Sequence, residues 1–107
     1  MVEEWAAGYG WAEINITVAG DKIIVEGHPG KKIRVVSACF TSTGAVKVAW
    51  KSGSTIKIPA MNLTAANGFW IPRACAAIVC TEPGEPLILS TSSGADLAGY
   101  LEYRLES

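Results

Sequence analysis

The chain has 107 residues, half of them hydrophobic and 18% charged, with nine basic and ten acidic side chains. That length fits one domain with a single core, and the hydrophobic share excludes an intrinsically disordered chain. The net charge of −1 lacks the basic excess that duplex binding needs, so nucleic acid is not an expected partner.

Residues 1–10, MVEEWAAGYG, hold two glycines and show no hydrophobic period. They are expected to form an N-terminal arm ahead of a domain over 11–107. Trp5, Tyr9 and Trp11 cluster at that end; they either pack back on the domain's own sheet or anchor the chain on a partner, and since tryptophan and tyrosine dominate interface hot spots the three are the candidate partner-binding residues. The first five residues have neither the basic start nor the apolar stretch of a cleaved leader. No segment approaches the ~20 apolar residues of a membrane span. Neither leader-directed export nor a membrane partner is expected.

Alternation begins at Trp11, with Ala12, Ile14, Ile16 and Val18 on one face and Glu13, Asn15 and Thr17 on the other, which predicts a half-buried antiparallel strand. Gly20-Asp21 reads as a turn, residues 22–26 as a second strand, and Gly27-His28-Pro29-Gly30 as a break. The β-branched run over 31–40 predicts a third strand, with Ile33, Val35, Ser37 and Cys39 on one face and Val36, Ala38 and Phe40 on the other. Residues 45–51 alternate with Val46, Val48 and Trp50 inward. Ser52-Gly53 suits a hairpin turn into a strand over 54–58 that shows Ile56 and Ile58 opposite Lys57.

Residues 59–68 are expected to be a loop with one turn, because Pro59 and Gly68 bound a short irregular stretch. A brief strand over 69–71 and an apolar one over 74–81 follow. Glu82-Pro83-Gly84-Glu85 has proline and glycine where a type II turn wants them. Strands over 86–91 and 97–105 close the chain. In the last, Leu97, Gly99, Leu101, Tyr103 and Leu105 share a face against Ala98, Tyr100, Glu102 and Arg104. About eight short strands with no crossover helix predict an all-β, antiparallel sandwich of jelly-roll type.

The chemistry of catalysis is sparse. His28 is the one histidine and sits in a turn sequence. A general base there needs a nucleophile and an orienting partner that nothing nearby supplies, and the chain is not expected to be an enzyme. Glu82 and Glu85 read as solvated turn carboxylates, and Gly8-Tyr9-Gly10 lacks the strand and helix of a phosphate loop. The odd count of cysteines, Cys39, Cys75 and Cys80, excludes a closed intrachain set. Cys75 and Cys80 would point to opposite faces of a straight strand ~17 Å apart. The three are small apolar residues in a reducing cell, and candidates for interchain disulfides outside one. Their spacing fails as a zinc site, so no metal or cofactor is expected. Trp50, Trp70 and Tyr100 read as core or oligomer-interface residues. Self-association follows from the apolar surplus of so small a sandwich.

The second half resembles small tailed-phage virion modules. The features that carry the likeness are Ala45-Val46-Lys47-Val48-Ala49-Trp50-Lys51-Ser52-Gly53, the asparagine-glycine loop at 63–69, the Thr81-Glu82-Pro83-Gly84-Glu85 turn and the closing Tyr103-Arg104-Leu105. It covers roughly residues 31 to 105 and implies a jelly-roll capsid decoration or head-fibre protein, usually a homotrimer, with no catalytic residues to carry over. On that resemblance the chain is a cement protein on the outer capsid surface of a virion. It is then expected to be made in the host cytoplasm and to have the major capsid protein and its own copies as partners. The alternative it leaves open is a receptor- or glycan-binding module of a tail or head fibre, stacking sugar on Trp50, Trp70 or Tyr100.

Overall fold

The computed structural model of the chain describes residues 9–63, 68–71, 79–92 and 96–106, with the backbone alone at Tyr9 and 68–71. The eight strands are β1 (Tyr9–Ile16), β2 (Gly20–Val25), β3 (Lys32–Ser42), β4 (Val46–Ser52), β5 (Thr55–Leu63), β6 (Gly68–Ile71), β7 (Leu87–Thr91) and β8 (Leu97–Glu106). They form two sheets, ordered β1-β8-β3-β6 and β2-β7-β4-β5. The antiparallel pairs β1–β8, β2–β7, β3–β6 and β4–β5 nest one inside the next. A long hairpin folded over itself in this way is a jelly roll, as the strand count and the missing crossovers predict.

The inward faces of both sheets meet in one core. Trp50 and Phe40 are its largest members, packed with their ring centroids 6.3 Å apart and tilted by 55°. Ile14, Ile16, Ile33, Val35, Val48, Leu87, Leu89, Leu97 and Leu101 are fully buried with them. The alternation read in β1, β4 and β8 holds: Ile14 and Ile16, Val46, Val48 and Trp50, and Leu97 and Leu101 all face inward and are buried.

Several local expectations change. Val18, expected as a fourth inward residue, lies beyond the end of β1 and is 74% exposed. The chain bends at 18–19 instead of at Gly20-Asp21, and Gly20 opens β2 with φ 114°. Such a backbone is one that glycine adopts without steric cost. The faces of β3 were expected to alternate throughout, yet its register against β8 shifts between Val35 and Ser37. A bulge inserts one extra residue and moves every later side chain to the other face. Ile33 and Val35 therefore share the core with Ala38 and Phe40, and Cys39 turns outward.

β5 runs on through Pro59 to Leu63, where a loop was expected. It is the outermost strand of its sheet, and its register against β4 shifts around Trp50. An edge position with a bulge is where a strand tolerates proline. Ile56, read on the face opposite Lys57, is 59% exposed.

The hairpin between β4 and β5 turns at 53–54, with Ser52 opposite Thr55 and Gly53 at φ 55°. The turn at 82–85 is as expected: Glu85 N–H donates to Glu82 O at 3.1 Å, and Gly84 has φ 84°. Of the strand expected over 74–81, residues 74–78 lie outside the described residues. Residues 79–81 pair with β3 ahead of the bulge, where Val35 N–H donates to Val79 O (3.0 Å) and Thr81 N–H to Ile33 O (2.9 Å). Past the bulge β6 takes over that side of β3, from Ala38 to Thr41.

Candidate functional site

β1 and β8 pair without a register shift from Tyr9↔Arg104 to Ile16↔Leu97. Two of the outward pairs are Trp11 with Glu102 and Glu13 with Tyr100. Trp11 and Tyr100 are thus diagonal neighbours on one face, a spacing that aromatic side chains span. Their ring centroids lie 5.4 Å apart with planes tilted by 46°, and they are 57% and 50% exposed. β3 continues the row, with exposed Cys39 opposite Tyr100, and β6 sets the Trp70 backbone opposite Cys39. Glu102 is buried beside Trp11 in the same face.

Of the three N-terminal aromatics, Trp11 is on this face and Tyr9 contributes its backbone to β1. Trp5 lies outside the described residues, as do Cys75 and the side chains of Tyr9 and Trp70. Tyr100 is on the surface. Trp50 is fully buried, which removes it from any sugar-stacking platform. Proximity of Trp11 to Tyr100 is not written in either segment alone; it follows from the register that joins the first and last strands.

The remaining polar groups secure the frame. Lys51 Nζ donates to Asp21 Oδ2 at 2.8 Å and holds that carboxyl below the usual range, helped by Ser90. Lys57 Nζ donates to Glu82 Oε2 at 2.7 Å, lowering the pKa of the carboxyl and raising that of the ammonium. These pairs are solvent-exposed and contribute little to stability. Arg34 Nε donates to Glu106 Oε1 at 2.9 Å across β3 and β8.

Glu85, expected to be simply solvated, is half-buried and accepts from Ser52 Oγ at 2.6 Å. The same hydroxyl accepts from Glu82 N–H at 3.0 Å, which ties the 82–85 turn to β4. His28 is exposed in the loop between β2 and β3. Among the described residues, no group of three or more His, Cys, Asp and Glu side chains could hold a metal ion. A shallow cavity of about 380 Å³ is lined by Ala45, Val46, Lys47, Asn62, Leu63 and Ser92, with Lys47 its one charge. No helix among the described residues is long and apolar enough to cross a membrane.

No family model matches the chain, and no curated protein matches it. Among solved structures it is similar to a Bacillus endospore appendage subunit from a family described as disulfide-linked pili. The identity is 12% and the TM-score 0.57, over 92% of this chain and 86% of that one. A virus-like particle of the giant freshwater prawn (Macrobrachium rosenbergii) extra small virus also matches. There the identity is 15% and the TM-score 0.36, over 92% of this chain and 80% of that one. The first likeness identifies the fold: an antiparallel β-sandwich that the chain shares with the pilus subunit across nearly its whole length.

Proposed function

We propose that the chain is a non-catalytic structural subunit that decorates the outer surface of a virus capsid as a homo-oligomer and stabilises it. The observation that carries this reading is the exposed Trp11–Tyr100 pair on the open face of the β1-β8-β3-β6 sheet. Exposed aromatics on a rigid sheet are the residues that anchor protein interfaces. The likeness of residues 31 to 105 to small tailed-phage virion modules supports the same reading. So does the fold shared with a subunit that builds pili, itself a repetitive assembly. The partner is the major capsid protein, and the site of action is the capsid surface after synthesis in the host cytoplasm. Several copies held in one oligomer multiply a modest single-site affinity through effective concentration. The fibre-type alternative, sugar binding, keeps Tyr100 but not Trp50.

Co-sedimentation with capsids of the encoding virus, stripped of this protein, tests the reading. The wild-type chain is expected to band with the capsid. The double variant Trp11→Ala/Tyr100→Ala is expected to bind at least about 30-fold more weakly. Equal binding by the variant, or none by the wild type, removes the proposal.

Cys39 is the exposed thiol of the same face, whereas Cys80 is half-buried. Oxidation of assembled copies outside the cell is expected to join chains through Cys39. A non-reducing gel of oxidised protein should show a cross-linked band that Cys39→Ser loses. A band that persists in the variant would move the link to Cys75 or Cys80.

A further inference from the structure

A two-sheet sandwich has four outer strands, and each leaves a row of backbone donors and acceptors open to another chain. Three of them here are interrupted or short. β2 carries a bulge between Ile23 and Val25 and charges at Asp21 and Lys22. β5 carries Pro59, Lys57 and register shifts against β4. β6 has four residues. β1 differs: it has eight residues, no proline, no lysine or arginine and an unbroken register with β8. Glu13 is its single charge. Among the described residues, β8 is its one strand partner, and no loop backbone bonds to it. Beside this unguarded edge stands the exposed Trp11–Tyr100 pair.

We infer that the free edge of β1 is the self-association surface, pairing antiparallel with β1 of a second copy about a two-fold axis. The inference rests on the self-assembly part of the proposed function and names its surface. A closed trimer would require β1 to meet a different edge of the next copy, and the other described edges are the guarded ones. Two copies of β1, by contrast, meet through identical surfaces.

The side chains select the register. Ala12, Ile14 and Ile16 face the core side, and Trp11, Glu13 and Asn15 face outward, so faces stay continuous only when like meets like. Centring the pair on Glu13 would put two carboxylates directly opposite, which is unfavourable. Centring it on Trp11 or on Ile14 shortens the overlap.

Centring on Ala12 overlaps residues 9–15 and sets Trp11 opposite the partner's Glu13, once on each side of the axis. Each pair offers an indole N–H to a carboxylate. Ile14 then lies opposite the partner's Gly10, where there is no side chain to crowd it. The two sheets become one of eight strands, and both Trp11–Tyr100 pairs come onto a single continuous face. That doubles the aromatic surface available to a capsid.

Sedimentation equilibrium of the full chain at micromolar concentration is expected to give the mass of two chains. The double variant Trp11→Lys/Glu13→Lys places lysine against lysine on both sides of the axis. It is expected to raise the dissociation constant by at least about tenfold. Both substituted positions are exposed, and a thermal melt followed by circular dichroism checks that the variant keeps its fold. A one-chain or three-chain mass for the wild type overturns the inference, as does a folded double variant that associates as tightly as the wild type. A three-chain mass with capsid binding intact removes the β1 seam and leaves the decoration reading. A two-chain mass without capsid binding does the reverse.

Discussion

Replacing Trp50 with alanine is expected to cost about 3–5 kcal/mol, the range for deleting a large aromatic from a packed core. Trp50 has no exposed surface. In its own sheet it is flanked by Leu89 of β7 and Ile58 of β5, and across the core it meets the Phe40 ring. It therefore joins the two sheets near the middle of the sandwich, where no neighbour can collapse into the vacated space without dragging a strand along. A small domain has only about 5–15 kcal/mol of total stability, so this one change would remove a large part of it. Urea denaturation followed by circular dichroism measures the loss. Trp11→Ala serves as the comparison, because a half-exposed surface residue is expected to change stability by about 0.5 kcal/mol or less. If the two substitutions cost the same, the core is not organised around Trp50.

Gly99→Ala is expected to be as damaging from the opposite direction, by adding an atom instead of deleting many. Gly99 pairs with Ile14 of β1 on one side and Phe40 of β3 on the other. A Cβ there would overlap the Cys39 carbonyl oxygen and come within 2.5 Å of Phe40 Cα and 2.6 Å of its Cβ. Backbone atoms in the middle of a sheet cannot swing aside as the end of a lysine can, so β8 would have to separate from β3. Overpacking of this kind costs typically 1–3 kcal/mol and more where the obstacle is rigid. The expected result is a lowered denaturation midpoint, with the loss at or above about 3 kcal/mol. A variant that melts with the wild type would show that the β3–β8 ladder yields more readily than this packing allows.

Much of the fold is legible where residues alternate without interruption. In β1, β4 and β8 the period of two names the core-facing side chains, although Ala49 and Glu102 on the other face are buried as well, and the glycine and proline of 82–85 mark a turn whose positive φ at Gly84 is found where proline-glycine chemistry puts it. Legibility fails at irregularities that depend on a neighbouring strand. The bulge between Val35 and Ser37 leaves no mark on the composition of β3. It arises where the chain's partner on one side changes from residues 79–81 to β6. Pro59 reads as a strand breaker, yet an edge strand with a register shift absorbs it. The candidate site is harder still. Trp11 and Tyr100 each read as an outward residue, but their approach to 5.4 Å depends on the pairing of the first strand with the last.

The nested pairing also dictates when each part of the molecule can form. Joining β4 to β5 closes a two-residue loop, whereas joining β1 to β8 brings together segments that are almost a full chain length apart. On a ribosome the inner hairpin can zip as soon as it emerges. β1 precedes that hairpin in the chain yet is the last to gain its neighbour, and it waits unpaired until β8 has been made.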